Sequence, residues 1–338
     1  IAGHTHQRHP APDTGTPSAA VPIVMPGSYG SHLGLIDLDL RHAADTGWQV
    51  EHHHARLYPP VPIPPQPSPE IIRIHDRARA ALAETVAELD RPLHTHFGLV
   101  QPGPVMALTA RAKALAIRKL LEGTQYAQLP LLAAAAARQP QAGAIDIPAG
   151  RLARRQLSAF VPFKNNLCAL LLNGAQVKAW LERAAAVYTT ATPAKAAPLL
   201  REDVPPFQFD AIYGLSYVID LRRQVGRRIT DLTCEGKPLA DDDRVVLATN
   251  SFRAAGGGGY DALDLPAPLA VSATSLGDCI AQVLRGEWDA AKPWRLRAPG
   301  CKAVLPVSAD AMRYIDEIAA FAPRIIDGPA PGPMTIEI

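Results

Sequence analysis

At 338 residues the chain exceeds the usual size of a single domain, which favours about two domains. Apolar residues make up 48% of it, an ordinary share for a globular protein with a sizeable core. The 34 Lys and Arg residues against 32 Asp and Glu residues leave a net charge of +2, too small for a surface that binds nucleic-acid polymers or membranes through charge. We therefore expect a small-molecule partner.

The sequence supports neither a membrane-spanning protein nor a zinc-ribbon protein. The longest apolar run, near Leu129–Ala137, has about half of the ~20 residues that a membrane-spanning helix needs. The cysteines are widely spaced and form no Cys-x-x-Cys motif, which indicates neither a zinc ribbon nor a redox dithiol. They are Cys168, Cys234, Cys279 and Cys301. Since the chain begins at Ile1 and not at Met, we expect it to be part of a longer polypeptide.

The first motif is Gly3–His4–Thr5–His6, in which two imidazoles lie two residues apart after a glycine. In an extended turn both rings can point into one cavity and bind one or two metal ions. His4 and His6 are therefore candidate metal ligands. The alternative is a pair of surface histidines, because a transition-metal site needs three or more ligands.

The next segment predicts a short apolar strand, a glycine-bracketed turn, and then an alternating strand over Leu35–Leu40. Together with Gly-His-Thr-His, its pattern Pro-Gly-x-x-Gly-x-His-Leu-Gly resembles the carboxyl-terminal end of the metallophosphoesterase domain of periplasmic 2′,3′-cyclic-nucleotide 2′-phosphodiesterase/3′-nucleotidases, relatives of the 5′-nucleotidases. The resemblance implies that His4 and His6 are the last two ligands of a two-metal centre. The other ligand motifs of that family, Asp-x-His, Gly-Asp-x-x-Asp and Gly-Asn-His-Glu, do not occur in these 338 residues.

The proline-rich residues 59–69 cannot form a helix or a central strand and are predicted to be a linker. Ser68, Pro69 and Glu70 suit the start of a helix as cap, first-turn proline and acidic partner of the helix dipole. Apolar residues then recur at helical spacing. They are Ile71, Ile74, Ala78, Leu82, Val86 and Leu89. We expect a helix that joins two domains, with an amphipathic partner-binding helix as the alternative.

Helices and strands are both predicted in the rest of the chain. A helix is expected over Pro104–Leu121, and residues 129–137 are expected to be a buried helix or strand. The apolar run Leu167–Leu172 predicts a strand, followed by a helix over Ala175–Tyr188. The β-branched run Arg244–Thr249 predicts a second buried strand.

Four consecutive glycines, Gly256–Gly259, follow that strand, bracketed by Phe252 and Tyr260. Such a run is expected where a positive φ or the close approach of another group is needed. The loop lacks the Lys and Ser/Thr of a phosphate-binding P-loop and the last glycine of a dinucleotide fingerprint. We predict that it faces a ligand, and the alternative is a mobile connection.

Three blocks extend the resemblance over nearly all of the chain: PFKNNLCALLLNGAQVKAWLERAA, FDAIYGLSYVIDL and RRITDLTCEGKPLADDDRVVLATNSFRAAGGGGY. In order and spacing they resemble the carboxyl-terminal domain of the 5′-nucleotidases, which holds a nucleoside with its base between two aromatic rings. The resemblance implies that Phe163 and Phe252 are these rings, that Asn165 contacts the base, and that Gly256 and Gly257 belong to the site. Base–aromatic stacking contributes about 1–3 kcal/mol per base and tolerates different bases.

Some positions depart from the family pattern or stay without a role. Arg138–Pro140 stands where the family has a Gly-Arg-Gly-Gly type segment, and Gly258 stands where some 5′-nucleotidases carry an acidic residue. Both differences leave base and sugar specificity open. Phe207 and Phe209 are predicted to lie in the core, and Trp294–Arg295 matches a family block without an assignable role.

The expected fold is mixed α/β (α+β) with three parts. Residues 1–60 are the tail of a metallophosphoesterase β-sandwich, residues 61–90 a linker and connecting helix, and residues 91–338 a 5′-nucleotidase-type domain. The resemblance implies a periplasmic or secreted metal-dependent hydrolase of nucleotide phosphate esters, in which two divalent ions of the Zn, Mn or Co type activate a hydroxide. This chain alone is expected to be inactive. The alternatives are a nucleoside-binding module without catalysis and, if the glycine loop is a passive linker, a structural or interaction domain.

Overall fold

In the part of the chain that the structure describes, strands outnumber helices and form several separate sheets. The computed structural model describes residues 3, 5–9, 22–61, 67–137, 144–161, 163–193, 196–326 and 334–337. Its contacts divide the chain into two units, residues 1–76 and residues 77–338. The boundary falls inside a helix, α1 (Pro69–Ala83), within the segment that the sequence analysis assigned to linker and connecting helix.

The first unit consists of strands that pair locally. They are β1 (Arg8–His9), β2 (Met25–Pro26), β3 (Leu33–Ala43) and β4 (Gly47–Tyr58). β1 pairs with β2, and β3 pairs with β4 in a long antiparallel hairpin, as the alternating sequence predicts. Several apolar side chains stay exposed along this hairpin, and Trp48 is 70% exposed. A two-stranded hairpin has no core of its own, so these side chains need a covering surface.

The second unit holds the other elements that the structure describes. Its strands are β5 (Thr85–Leu89), β6 (Leu93–His94), β7 (Leu131–Ala136), β8 (Asp146–Ile147), β9 (Gly150–Ala153), β10 (Leu167–Asn173), β11 (Ala197–Pro198), β12 (Asp210–Tyr213), β13 (Leu215–Asp220), β14 (Ile229–Cys234), β15 (Lys237–Pro238), β16 (Arg244–Asn250), β17 (Ala270–Ser272), β18 (Trp294–Arg297), β19 (Lys302–Leu305), β20 (Arg324–Ile325) and β21 (Met334–Glu337). Its α-helices are α2 (Pro104–Leu121), α3 (Gly174–Ala185), α4 (Ser251–Ala254) and α5 (Leu276–Val283). Short 3₁₀ helices cover Arg154–Ala159, Pro206–Gln208, Asp261–Leu263 and Asp310–Phe321.

The connecting helix begins as predicted and leaves its apolar stripe uncovered. The Ser68 hydroxyl accepts a hydrogen bond of 3.4 Å from the amide of Ile71, as a helix cap does. No residue of α1 is buried, and Ile71, Ile74 and Leu82 are exposed. The helix therefore has an unpaired apolar face among the residues that the structure describes.

The prediction that the apolar stripe of the connecting helix extends to Val86 and Leu89 is wrong. Val86 and Leu89, which helical spacing placed on α1, lie in β5 and are buried there. β5 pairs antiparallel with β9, and this partner strand overrides the local helical periodicity. The β-branched pair Thr85–Val86, which is separated from the end of α1 by Glu84, was the local signal for a strand.

A five-stranded sheet forms the centre of the second unit, in the order β12, β7, β16, β10, β17. β7 and β16 run parallel, whereas the other neighbours are antiparallel. The helix α2 packs against every strand of this sheet, and α3 packs against β10 and β12. β7, β10 and β16 are buried along nearly their whole length, as expected of a sheet covered by helices.

Most predicted core elements are confirmed. The strands expected at Leu167–Leu172 and Arg244–Thr249 are β10 and β16, each one residue longer. The helix expected over Pro104–Leu121 is α2, with the same bounds. The helix expected over Ala175–Tyr188 is α3, which ends three residues earlier. Residues 129–137, for which helix and strand both stayed open, contain the strand β7.

Smaller sheets complete the second unit. One has the order β15, β14, β13, β18, and another has the order β11, β19, β21, β20. A buried guanidinium joins α3 to the first of these sheets: Arg228 Nη1 donates hydrogen bonds of 2.8 Å to the carbonyls of Ala185 and Tyr188. The Glu182 carboxylate in turn accepts the amides of Arg228 and Ile229, at 2.8 Å each. This polar network lies at the carboxyl-terminal end of α3.

Lys113 places an ammonium group inside the core of the second unit. It lies on α2, and its Nζ donates a hydrogen bond of 2.6 Å to the carbonyl of Ala134. Burial lowers the pKa of Lys113 to about 8, although the Asp210 carboxylate acts in the opposite direction. An unfolded lysine keeps its proton up to about pH 10. Between these two values the unfolded chain binds more protons than the folded chain, so the free energy of unfolding rises with pH in this window. Below the window, the buried charge of Lys113 destabilises the folded state to its full extent.

Replacing Lys113 by Met is expected to raise the free energy of unfolding at pH 7 by about 3 kcal/mol, because a lowered pKa of this size destabilises the folded wild type by that amount. The rise in stability between about pH 8 and pH 10 should disappear in the variant. Urea unfolding at several pH values measures both effects.

The matched control is Lys178→Met on the exposed side of α3, which should change neither quantity. If Lys113→Met kept the pH dependence of the wild type, the assignment of that dependence to Lys113 would be wrong.

Candidate functional site

One edge of the central sheet collects the residues that the sequence analysis singled out. β10 starts at Leu167 and β16 ends at Asn250, and these two residues are register partners in an antiparallel pair. Just outside the sheet, the amide of Ser251 donates a hydrogen bond of 2.8 Å to the carbonyl of Asn166. The segments that carry Phe163 and Phe252 therefore leave the sheet at the same edge.

Both rings at this edge face solvent. Phe163 is 73% exposed and Phe252 is 45% exposed, whereas Phe209 in the core is 1% exposed. Asn165 is half-buried beside Phe163, and its backbone N–H donates a hydrogen bond of 3.0 Å to the carbonyl of Phe163. The edge thus presents two aromatic rings and a side-chain amide that are not part of the core.

The glycine loop approaches Phe252 closely. At Gly257 a Cβ would stand 2.4 Å from Cε2 of Phe252, so only glycine leaves room for this ring. Gly258 has a φ of +79°, and a Cβ there would stand 2.1 Å from Nη1 of Arg253. Gly256 also has a positive φ, and its carbonyl accepts a hydrogen bond of 2.9 Å from the amide of Tyr260.

A buried ion pair anchors the loop to β12. Arg253 is 3% exposed, and its Nε and Nη2 donate to the two carboxylate oxygens of Asp210 at 2.9 and 3.2 Å. Arg253 Nη1 donates to the carbonyl of Gly257 at 2.8 Å, and Nη2 also donates to the carbonyl of Phe207. Burial alone would lower the pKa of Arg253, but the Asp210 carboxylate outweighs it and the pKa is raised. The Arg253 guanidinium therefore stays charged in the interior.

A second guanidinium holds the other end of the loop. Arg183 on α3 donates from Nε to the carbonyl of Gly259 at 2.6 Å and from Nη2 to the carbonyl of Gly258 at 3.3 Å. Tyr260 is fully buried, with its hydroxyl donating to the carbonyl of Gln208 at 2.8 Å. Side chains from several elements thus fix the loop, an arrangement that a passive connection does not need.

The core prediction for Phe207 is wrong, whereas that for Phe209 is confirmed. Phe207 is 46% exposed, and its Cε2 would lie 3.7 Å from a Cβ at Gly258, beside the glycine loop. In a regular strand, residues two apart point to the same face. The 3₁₀ turn Pro206–Gln208 breaks this alternation, and the prolines before Phe207 were the sequence signal for it.

The predicted metal ligands lie in the first unit, apart from the site residues in sequence. His4 lies outside the described residues. His6 is exposed with a φ of +59°, and its ring lies edge-on to Tyr29 at a centroid distance of 6.3 Å. Among the residues that the structure describes, no group of three or more His, Cys, Asp or Glu side chains could hold a metal ion. These residues alone do not fit a two-metal centre.

A polar cluster, formed by residues that lie far apart in the sequence, was not predicted. His94 and His96 are buried and share hydrogen bonds of 2.9 Å with Glu317 and Asp146, respectively. The ring of Tyr314 stacks on His94 at 3.8 Å, and its hydroxyl donates to Asp146 at 2.8 Å. Burial opposes the ionised form of Asp146, yet its hydrogen bonds from His96 and Tyr314 keep the pKa below the ordinary value. The motif His94–Thr95–His96 was visible in the sequence, but its partners were not.

The comparisons with known proteins cover the residues of this site. The family model "5′-nucleotidase, C-terminal domain" matches residues 100–265. The chain is 27% identical over 293 residues to the trifunctional nucleotide phosphoesterase protein YfkN of Bacillus subtilis, covering 77% of this chain and 20% of that protein. It is also 27% identical over 296 residues to the 2′,3′-cyclic-nucleotide 2′-phosphodiesterase/3′-nucleotidase of Salmonella typhimurium, covering 75% of this chain and 45% of that protein. The chain thus spans less than half the length of these two relatives.

A solved structure shares the fold. It comes from Staphylococcus aureus, is assigned as a 5′-nucleotidase, and superimposes with a TM-score of 0.59 over 88% of this chain and 55% of its own. At 19% identity, this similarity concerns the fold alone. The family match spans Phe163, Asn165 and the glycine loop, all at one edge of the central sheet. Residues 100–265 of the chain therefore match the model of the 5′-nucleotidase C-terminal domain.

Proposed function

We propose that the second unit binds the nucleoside part of a nucleotide, as the substrate-binding domain of a phosphoesterase that hydrolyses 2′,3′-cyclic nucleotides and 3′-nucleotides. One observation carries the proposal: two exposed phenylalanines, Phe163 and Phe252, leave adjacent ends of two buried, paired strands. In this reading a base stacks between the two rings, and Asn165 supplies hydrogen bonds to its edge.

The surroundings of the two rings support this role. Exposed aromatic rings lose unfavourable contact with water when a flat ligand covers them. Stacking accepts any base because every base has a π-face, so the site would tolerate different nucleosides. Gly257 leaves room for the ring of Phe252, and this ring stays 45% exposed and therefore accessible to a ligand.

Hydrolysis is proposed for a longer protein of which this chain is a part. The named relatives are phosphoesterases more than twice as long as the matched region, and the described residues hold too few ligands for a two-metal centre. We assign His4 and His6 to such a centre as its last two ligands, with two divalent ions completed by other parts of the protein. The exposed apolar side chains of the β3–β4 hairpin are a surface that such a catalytic domain would cover.

The proposed compartment is the periplasm or the cell exterior, and the proposed substrates are small nucleotides. No helix among the described residues is long and apolar enough to cross a membrane. The near-balanced charge of the chain suits a small ligand better than a nucleic-acid polymer.

A nucleoside-binding module without catalysis is the second candidate function. The incomplete set of metal-ligating side chains among the described residues favours it. The upstream reading frame distinguishes the two candidates, because Asp-x-His and Gly-Asn-His-Glu motifs there would complete the centre of an enzyme.

The base-binding role predicts how Phe163→Ala and Phe252→Ala behave. Each should weaken adenosine binding by about 1–3 kcal/mol, because each removes one stacking partner. The double variant should lose less than the sum, because one remaining ring cannot enclose a base. Isothermal titration calorimetry measures the affinities.

Thermal unfolding of the same variants tests whether the rings belong to the core. A buried phenylalanine contributes about 3–5 kcal/mol to stability, so a large drop in Tm with full affinity would place that ring in the core instead. Ile325→Ala is the matched control, since Ile325 is exposed on the separate strand β20 and should affect neither quantity.

If other parts of a longer protein complete the metal centre, as proposed, the 338-residue chain alone should have negligible phosphodiesterase activity. With 2′,3′-cyclic AMP and excess Mn²⁺ or Co²⁺, no turnover above background is expected, because a two-metal centre needs more ligands than His4 and His6. Turnover near ordinary enzyme rates, about 10 s⁻¹, would require a second set of metal ligands within this chain. It would refute the proposal that other parts of the protein complete the metal centre.

A further inference from the structure

We propose that Arg253 is a positioning residue, which holds the ring of Phe252 in the orientation that stacks on a base. The inference rests on the proposed function, because it concerns how the same site is organised. Arg253 itself does not contact the ligand in this proposal, since the Arg253 side chain is buried and its nitrogens are hydrogen-bonded within the protein.

The first link of the proposed mechanism connects Arg253 to the sheet. Asp210 is the first residue of β12 and pairs with Ala136 of β7, so the sheet fixes its position. Its carboxylate accepts two hydrogen bonds from Arg253 and a third, of 3.2 Å, from the indole of Trp180. The guanidinium is thereby tied to the central sheet by a carboxylate that is itself held in place.

The second link connects Arg253 to the ring. Arg253 Nη1 donates to the carbonyl of Gly257 at 2.8 Å, and the amide of Gly257 donates to the carbonyl of Phe252 at 2.8 Å. The ring of Phe252 rests where a side chain of Gly257 would be, and the Arg253 guanidinium carbon lies 5.7 Å from its centroid. The peptide that supports the ring is therefore placed by Arg253.

The exposed ring needs this support. A half-exposed phenylalanine has few core contacts to restrict its side-chain torsions, and a ligand that orders it must offset the lost conformational freedom. A ring that already rests on an anchored peptide loses less freedom when a base binds. The expected benefit of Arg253 is thus a preorganised site.

Lysine cannot replace arginine in this network. The planar guanidinium donates in fixed directions to Asp210, Gly257 and Phe207 at the same time. A lysine keeps the positive charge beside Asp210 but has a single nitrogen for all these acceptors. Arg253→Lys therefore preserves the ion pair and removes the support of the Gly257 peptide.

The test is a double-mutant cycle between Arg253→Lys and Phe252→Ala in the full chain, read out as adenosine affinity by calorimetry. Arg253→Lys is expected to weaken adenosine binding about fivefold to tenfold. This loss should not exceed the loss caused by Phe252→Ala, which removes the ring itself. In the Phe252→Ala background it should have no further effect, because no ring is left to position. An equal loss in both backgrounds would mean a general structural role and would overturn the inference.

The matched control is Arg228→Lys, in the other buried guanidinium network at the end of α3. It should lower Tm to a similar degree and leave adenosine affinity unchanged. If it weakened binding as much as Arg253→Lys, the loss would follow from stability alone and the inference would fall. Should Arg253→Lys not fold, Asp210→Asn takes its place in the same cycle, because it keeps an acceptor for Arg253 and weakens the anchor.

A further variant displaces the ring from the opposite side. Gly257→Ala places a methyl group against Phe252, and its backbone lies outside the left-handed region, so the chain itself tolerates alanine there. Adenosine affinity should fall, whereas Gly277→Ala, which meets no close neighbour, should not change it. Full affinity in Gly257→Ala would contradict the role of that peptide as a support.

The proposed function and the inference fail in different ways. If the wild-type chain binds no adenosine, the proposed function is wrong and the positioning role falls with it. If the wild type and Arg228→Lys bind adenosine and Arg253→Lys binds it equally well, only the inference is wrong.

Discussion

The buried ion pair between Asp210 and Arg253 is the constraint on which the candidate site depends. Burying two charges is costly unless each is hydrogen-bonded, and here the carboxylate accepts three bonds while the guanidinium also binds backbone carbonyls of the loop and of Phe207. The pair joins β12, the outermost strand on one side of the central sheet, to a loop that has no side chains of its own to pack. A glycine run that would otherwise sample many conformations is thereby held in one.

This arrangement gives the glycines a reason beyond ligand binding. The sequence indicated that some group must come close to the loop, and the natural candidate was a ligand. In the structure, the groups that occupy the space are the protein's own: the ring of Phe252 at Gly257, the Arg253 guanidinium at Gly258, and the Arg183 guanidinium at Gly259. The loop is best understood as a backbone wrapped around two arginines, with one aromatic ring left facing outward.

Local pattern was enough to predict β10, β16 and α2, because long apolar runs and a clear helix stop are properties of a few adjacent residues. Where the outcome depends on a distant partner, local pattern failed. Val86 and Leu89 continue a helical spacing but are taken up by a strand pair with β9. The cluster around His94 needs Glu317, more than two hundred positions away. The site residues came from resemblance to a family; periodicity alone would have left Phe163 and Phe252 as ordinary strand-flanking residues.

The order of the central sheet has a consequence for folding. Leu167 pairs with Asn250, and the parallel pair β7 and β16 joins segments even farther apart in the chain. Such non-local pairing closes long loops and forms slowly, so the segments that carry Phe163 and Phe252 come together only after most of the unit has assembled. A nucleoside would then bind the completed sheet and not its precursors. At a free concentration of about one hundred times Kd, mass action adds roughly 2.7 kcal/mol to the folded state. The ligand supply would thus also set what fraction of the chains is folded.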